Sequence, residues 1–119
     1  MSPEEAEFVD RMGLVMERLG GARTMGRLYG RLLICDPPDR SLTELATDLR
    51  VSKASVSVVA RQLEAAGMIE RVPAGGREHR YRITAGGWAE TLKVQLVGVR
   101  LGLETLDFGL SALDPQSPL

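Results

Sequence analysis

The stretch from Thr43 to Gly67, Thr-Glu-Leu-Ala-Thr-Asp-Leu-Arg-Val-Ser-Lys-Ala-Ser-Val-Ser-Val-Val-Ala-Arg-Gln-Leu-Glu-Ala-Ala-Gly, constrains the fold more than any other part of the chain. It predicts two short helices joined by a tight turn. Thr43 is a good N-cap, Leu45, Ala46 and Leu49 form an apolar stripe, and the first helix fades at Arg50 before a second cap at Ser52. In the second helix Val56, Val59, Ala60 and Leu63 recur at helical spacing and must point inward together. Gly67 closes that helix. The pattern is that of a helix-turn-helix.

The opposite face of the second helix carries Lys53, Ala54, Ser57, Val58 and Arg61, with Ser52 and Ser55 at its head. Short, hydroxyl and basic side chains suit a helix that enters the major groove of DNA, because they let the backbone approach base edges while Ser and Lys donate to bases and phosphates. Beyond Gly67, Met68–Val72 and His79–Ile83 alternate polar and apolar residues around Pro73-Ala-Gly-Gly-Arg-Glu78, which predicts a β-hairpin. A helix-turn-helix followed by a basic hairpin is a winged helix. The hairpin tip, Arg77 with Arg80 nearby, is then expected along the minor groove or its phosphates.

This order of residues resembles the MarR superfamily, and within it the GbsR-like branch. The likeness runs over residues 8 to 84, through Arg23-Thr-Met-Gly-Arg-Leu-Tyr-Gly-Arg-Leu-Leu, Asp36-Pro-Pro, Ser41-Leu-Thr-Glu-Leu-Ala, Val51-Ser-Lys-Ala-Ser-Val-Ser, Gly67-Met-Ile-Glu-Arg-Val and Gly76-Arg. Ala22 and Ala54 stand where relatives of that branch often have Pro and Gly. Gly75 stands where many wings of this superfamily have an Asp that braces the wing Arg, which implies a less rigid wing. By resemblance, Leu42 contributes the small extra strand that pairs with the hairpin. The resemblance also implies a repressor on a two-fold operator, relieved when a ligand between the dimerisation helices and the helix-turn-helix changes the spacing of the recognition helices. GbsR-like relatives suggest choline or related osmolyte-linked cations as that ligand, with Phe8, Tyr29 and Trp88 as candidate aromatic contacts.

Charge is segregated along the chain. The formal net charge is −1, yet residues 50 to 82 hold seven basic side chains against three acidic ones, leaving +4 there and −5 elsewhere. A polyanion-binding face requires such a cluster. At 119 residues the chain is expected to form one domain: N-terminal helices over 1–35, the winged helix-turn-helix over 41–84 and a last helix over 85–113. The fold class is mainly α, with a small β element.

The N-terminal part predicts a helix from Pro3 to Leu19, with glutamates in its first turn and Phe8, Met12, Val15 and Leu19 on its apolar face. Gly20-Gly21 breaks it. A second helix follows from about Thr24 to Ile34, where Gly26 and Gly30 leave a flat strip for another helix to approach. Arg23, Arg27 and Arg31 form a basic row that reads as solvated surface, with contact to DNA backbone as the alternative. Asp36-Pro-Pro-Asp-Arg40 is a rigid, non-helical boundary.

After Thr84, a plausible N-cap, Leu92, Leu96, Val99, Leu103, Leu106, Leu110 and Leu113 alternate spacings of four and three, which is a heptad seam. A helix this long needs a partner for its stripe, so a homodimer is expected, with Leu92 to Leu110 as its dimerisation residues; packing on the first helix of the same chain is the alternative. Gly98 and Gly102 suggest close helix contact there.

One His and one Cys cannot make a metal cluster or a Cys-His catalytic pair, and the chain has no phosphate-binding Gly-Lys-Ser/Thr loop. No catalytic residue, metal or cofactor is expected. The lone Cys35 reads as a structural thiol, and the absence of a signal peptide or long apolar run predicts a cytoplasmic protein with no membrane partner. The expected function is DNA binding to double-stranded operators, through Ser52, Lys53, Ala54, Ser55, Ser57, Arg61, Arg77 and Arg80. The alternative is a winged helix that holds another protein.

Overall fold

The computed structural model describes residues 1–73, 76 and 78–113, and of residues 87–92 the backbone alone. The hairpin-tip residues Ala74, Gly75 and Arg77, the side chains of Trp88 and Leu92, and the tail from Asp114 lie outside the described residues. The chain falls into two compact units, Met1–Gly87 and Trp88–Leu119.

The first unit opens with α1 (Pro3–Arg18), started by a capping box in which Ser2 Oγ accepts the Glu5 N–H and the Glu5 carboxylate accepts the Ser2 N–H. Helix α2 (Arg23–Ile34) packs on it at a glycine crossing. A Cβ on Gly26 would collide with the Met12 carbonyl oxygen and lie 2.7 Å from Met16 Cβ. The flat strip expected at Gly26 and Gly30 therefore receives α1.

Strand β1 (Asp39–Ser41) follows the Asp36-Pro-Pro boundary, where the Asp36–Pro37 peptide is cis, and leads straight into α3 (Leu42–Leu49). Two expectations change here. The extra strand is residues 39–41, and Leu42 is already helical; the cap is Ser41, whose Oγ accepts the Glu44 N–H while Glu44 returns a carboxylate oxygen to the Ser41 N–H. Ser41 and Glu44 satisfy each other's amides, so Thr43 sits inside the first turn instead of capping it. Helix α3 ends at Arg50, a non-glycine residue in the left-handed region (φ 56°). Helix α4 (Lys53–Ala65) starts on its Ser52 cap and stops at Gly67 (φ +76°), a conformation that glycine takes without steric cost.

Strands β2 (Ile69–Val72) and β3 (Arg80–Ile83) form the hairpin, and β1 adds to its other side in the order β1-β3-β2, all antiparallel. The register pairs Arg71 with Tyr81, whose ring is buried against the helices. The core joins α1 to the wing: Val9, Leu28, Leu45, Leu49, Val56, Leu63, Ile69 and Tyr81 are all sealed from solvent. Each such aliphatic side chain contributes about 1.5–3 kcal/mol of burial. The predicted inner stripe of α4 is wholly buried.

Thr84 does not start the last helix. Its N–H donates to Met68 O, continuing the sheet, and α5 (Gly87–Leu113) begins only after Gly86 has turned the chain at φ +76°. The second unit is α5 with the tail that follows it. The seam residues Leu96, Val99, Leu103, Leu106 and Leu110 are 59–69% exposed. Val94, Val97, Leu101 and Phe108, on other faces, are exposed as well, so α5 is apolar well beyond a single seam. A helix apolar on several faces is one that buries most of its circumference.

Candidate nucleic-acid interface

The outer face of α4 is built from the periodicity that buries its inner face. With Val56, Val59, Ala60 and Leu63 inward, Lys53, Ala54, Ser55, Val58 and Arg61 are left exposed and Ser57 half-exposed. Ser52 is committed to the helix start: its Oγ accepts the Ser55 N–H at 3.1 Å and donates to Ser55 Oγ at 3.0 Å. Among the described residues Arg61 enters no ion pair. Lys53 does: its Nζ lies 3.1 Å from Glu78 Oε1.

Arg80, expected at the DNA backbone, is ion-paired at the base of the wing. Its Nε meets Asp39 Oδ1 at 2.7 Å and its Nη1 meets Glu44 Oε1 at 2.8 Å, so the guanidinium clamps β3 to β1 and to the head of α3. Those carboxylates hold its pKa above the ordinary range, Asp39 contributing most. Glu44 is held below its ordinary value, chiefly by the Ser41 N–H, with Arg80 adding to the effect. Arg77 lies outside the described residues.

The row Arg23, Arg27 and Arg31 grades from exposed surface at Arg23 to a buried guanidinium at Arg31, and each member is ion-paired. Arg23 pairs with Glu17 at 2.9 Å, Arg27 with Asp10 at 3.2 Å, and Arg31, buried, with Asp48 at 2.9 Å and Glu5 at 3.7 Å. The glycine crossing draws the basic flank of α2 against the acids of α1, and Asp48 of α3 closes on the buried end of the row. From Asp48 the ion pairs continue to Arg40 (3.6 Å), Glu44 (3.5 Å from Arg40) and Arg80. Alternating charges thus run from α1 across α2 and α3 to the base of the wing. Arg40 Nε is buried without a hydrogen-bond partner among the described residues, so its link to Asp48 at 3.6 Å is electrostatic.

Of the candidate effector residues, Phe8 and Tyr29 have described side chains. Tyr29 is a core residue whose hydroxyl has no hydrogen-bond partner among the described residues, Phe8 is 36% exposed on α1, and the Trp88 side chain lies outside the described residues. Cys35 is buried, donates to Leu32 O at 3.5 Å, and is pushed up in pKa by burial, as a structural thiol would be. Among the described residues no group of acidic, His or Cys side chains could hold a metal, and no helix is long and apolar enough to cross a membrane.

Sequence reasoning missed Glu78, which accepts the N–H (2.7 Å) and the hydroxyl of Thr43 as well as meeting Lys53. No local signal could have found it, since Thr43 lies 35 residues away. It missed the Ser41–Glu44 capping box too, although Ser-x-x-Glu was there to be read.

The MarR family model matches residues 33–74, which span α3, α4 and β2. The HTH-type transcriptional regulator MmpR5 of Mycobacterium tuberculosis is 37% identical over 117 residues, covering 98% of this chain and 71% of that protein. The chain belongs to the MarR family. A crystal structure of a transcriptional regulator superposes with a TM-score of 0.71 at 38% identity, over 98% of this chain and 80% of that one. The DNA complex of MepR from Staphylococcus aureus shares the MarR-type fold at a TM-score of 0.53 and 20% identity, over 93% of this chain and 77% of MepR. The mainly helical, winged architecture is that of MarR-type structures.

Proposed function

We propose that this MarR-family protein is a transcriptional regulator that binds double-stranded DNA as a homodimer, with α4 in the major groove. The exposed face of α4 carries the reading: hydroxyl, small and basic side chains in one patch, with Val58 its only large apolar residue, set opposite a fully buried stripe. A protein-docking helix would show large apolar side chains there. MmpR5 is named a transcriptional regulator and MepR has been crystallised on DNA, and both uses fit this geometry. Ser52, Lys53, Ala54, Ser55, Ser57 and Arg61 form the groove-facing set, Arg77 is assigned to the wing contact, and Arg80 supports the DNA backbone from the base of the wing. The exposed apolar faces of α5 supply the dimer through Leu92, Leu96, Val99, Leu103, Leu106 and Leu110, giving a two-fold operator and a cytoplasmic repressor. The resemblance to the GbsR-like branch makes small organic cations the effector class to screen first.

The test is selection of duplexes from a randomised pool. Wild type enriches a two-fold sequence; Ser57→Glu stays folded but enriches none, because its carboxylate faces base edges and phosphates; Leu103→Glu sediments as a monomer and loses tight binding. A wild-type protein that is monomeric at micromolar concentration, or that enriches no duplex, overturns the reading.

A further inference from the structure

The first amides of a helix must find acceptors outside it. In α3 the Leu42 N–H donates to His79 O at 3.3 Å, the Thr43 N–H to Glu78 Oε1 at 2.7 Å, and the Glu44 N–H to Ser41 Oγ at 3.1 Å. Two of these three acceptors come from the returning arm of the wing. The same Glu78 oxygen accepts the Thr43 hydroxyl and lies 3.1 Å from Lys53 Nζ. One carboxylate oxygen therefore joins the wing, the head of α3 and the head of α4.

The other acids of the basic segment are also paired, Glu64 with Arg71 and Glu70 with Arg82, but those partners lie on the hairpin. Among the described residues, Glu78 alone meets a cation on the groove-facing turn. Its carboxyl is held below the usual glutamate range, first by the Thr43 hydroxyl and then by Lys53, so it is charged at neutral pH.

We infer that Glu78 is the positioning residue of this interface: it fixes the wing to the helix-turn-helix and holds Lys53 back from indiscriminate phosphate contact, so that it sets discrimination between DNA sequences. The inference rests on the DNA-binding reading above. It separates two jobs that two substitutions can divide. Glu78→Gln keeps an oxygen for the Thr43 donors but no longer neutralises Lys53, whereas Glu78→Ala loses both functions.

The experiment measures affinity against salt for wild type and both variants, on the duplex enriched by wild type and on its scrambled counterpart, with amide hydrogen exchange at Thr43 in the absence of DNA. In Glu78→Gln, Thr43 protection is retained, the scrambled duplex binds roughly fivefold tighter, the scale of an exposed charge pair released in each of two subunits, and the salt slope steepens by about one per subunit. In Glu78→Ala, Thr43 protection falls and the enriched duplex binds roughly fivefold more weakly. Discrimination drops in both. A ratio of the two affinities within about twofold of wild type in both variants, or unchanged Thr43 exchange in Glu78→Ala, overturns the proposal. If wild type enriches no duplex, the DNA-binding reading fails and takes the discrimination role with it, while Thr43 exchange still decides whether Glu78 is the brace.

Discussion

Asp48→Asn should be the most destabilising single-charge change in the first unit. Arg31 keeps only 8% of its side chain exposed and faces Asp48 at 2.9 Å, while Arg40 shares the same Asp48 oxygen at 3.6 Å. Removing the charge leaves Arg31 with Glu5 at 3.7 Å, a residue 41% exposed, and leaves Arg40 with Glu44 at 3.5 Å. Breaking a buried pair from one side costs about 3–5 kcal/mol. Asp48 is 25% exposed and Glu5 remains, which brings the expected cost down to about 2–3 kcal/mol. For a chain of this length that is about 8–12 °C in melting temperature. The assay is thermal unfolding by circular dichroism at one protein concentration, since the proposed dimer would make the midpoint concentration-dependent. Glu17→Gln is the internal control: its pair with Arg23 belongs to the same row, but both side chains are about half exposed, and the midpoint should stay within about 2 °C. An Asp48→Asn protein that melts with the Glu17→Gln control would refute the argument that burial of Arg31 makes this pair matter.

Gly26→Ala should lower the midpoint by a similar amount, because the new Cβ meets backbone at Met12 and α1 must move away; overpacking of this kind costs about 1–3 kcal/mol, and an unchanged midpoint would show that the crossing can open freely. Acid should weaken the fold through Glu44, whose folded pKa lies below its ordinary value of 4.5. The sign follows directly: a depressed folded pKa contributes stability above the unfolded value that is lost as pH falls through the folded one. Glu44→Gln should therefore lose less melting temperature than wild type between pH 5 and pH 3, and parallel acid limbs would count against that role.

The parts of the fold that were legible are those set by one element's own period. The stripe Val56, Val59, Ala60 and Leu63 needs only helical spacing to be read, and its outer face follows by subtraction. Helix starts were harder because two candidate caps compete within three residues: Ser41 wins over Thr43 since Glu44 can return its carboxylate to the Ser41 N–H. The same logic moved the extra strand from Leu42 to residues 39–41, and the use of the Thr84 N–H by Met68 moved the start of α5 to Gly87. The Arg23, Arg27 and Arg31 row was visible as spacing, but its partners are set by tertiary packing: Glu17 and Asp10 by the glycine crossing of α1 on α2, and Asp48 by the packing of α3. The geometry of Glu78 depends on a hairpin folding back over 35 residues, which no window of sequence contains.

Counting charges overstates what the interface can offer to phosphate. Of the seven basic residues between 50 and 82, Lys53, Arg71, Arg80 and Arg82 each face a carboxylate, whereas Arg50 and Arg61 enter no ion pair among the described residues. The paired cations are spent on geometry: Arg80 sets the base of the wing, and Arg71 and Arg82 bind its two arms to neighbouring acids. On the proposed DNA-binding reading, neutralised cations and a braced wing would favour sequence reading over general affinity, because backbone contacts position a protein on DNA while base contacts specify where it stays. On that reading the acids embedded in the basic segment would serve both effects, Glu64, Glu70 and Glu78 each pairing with a cation of the segment.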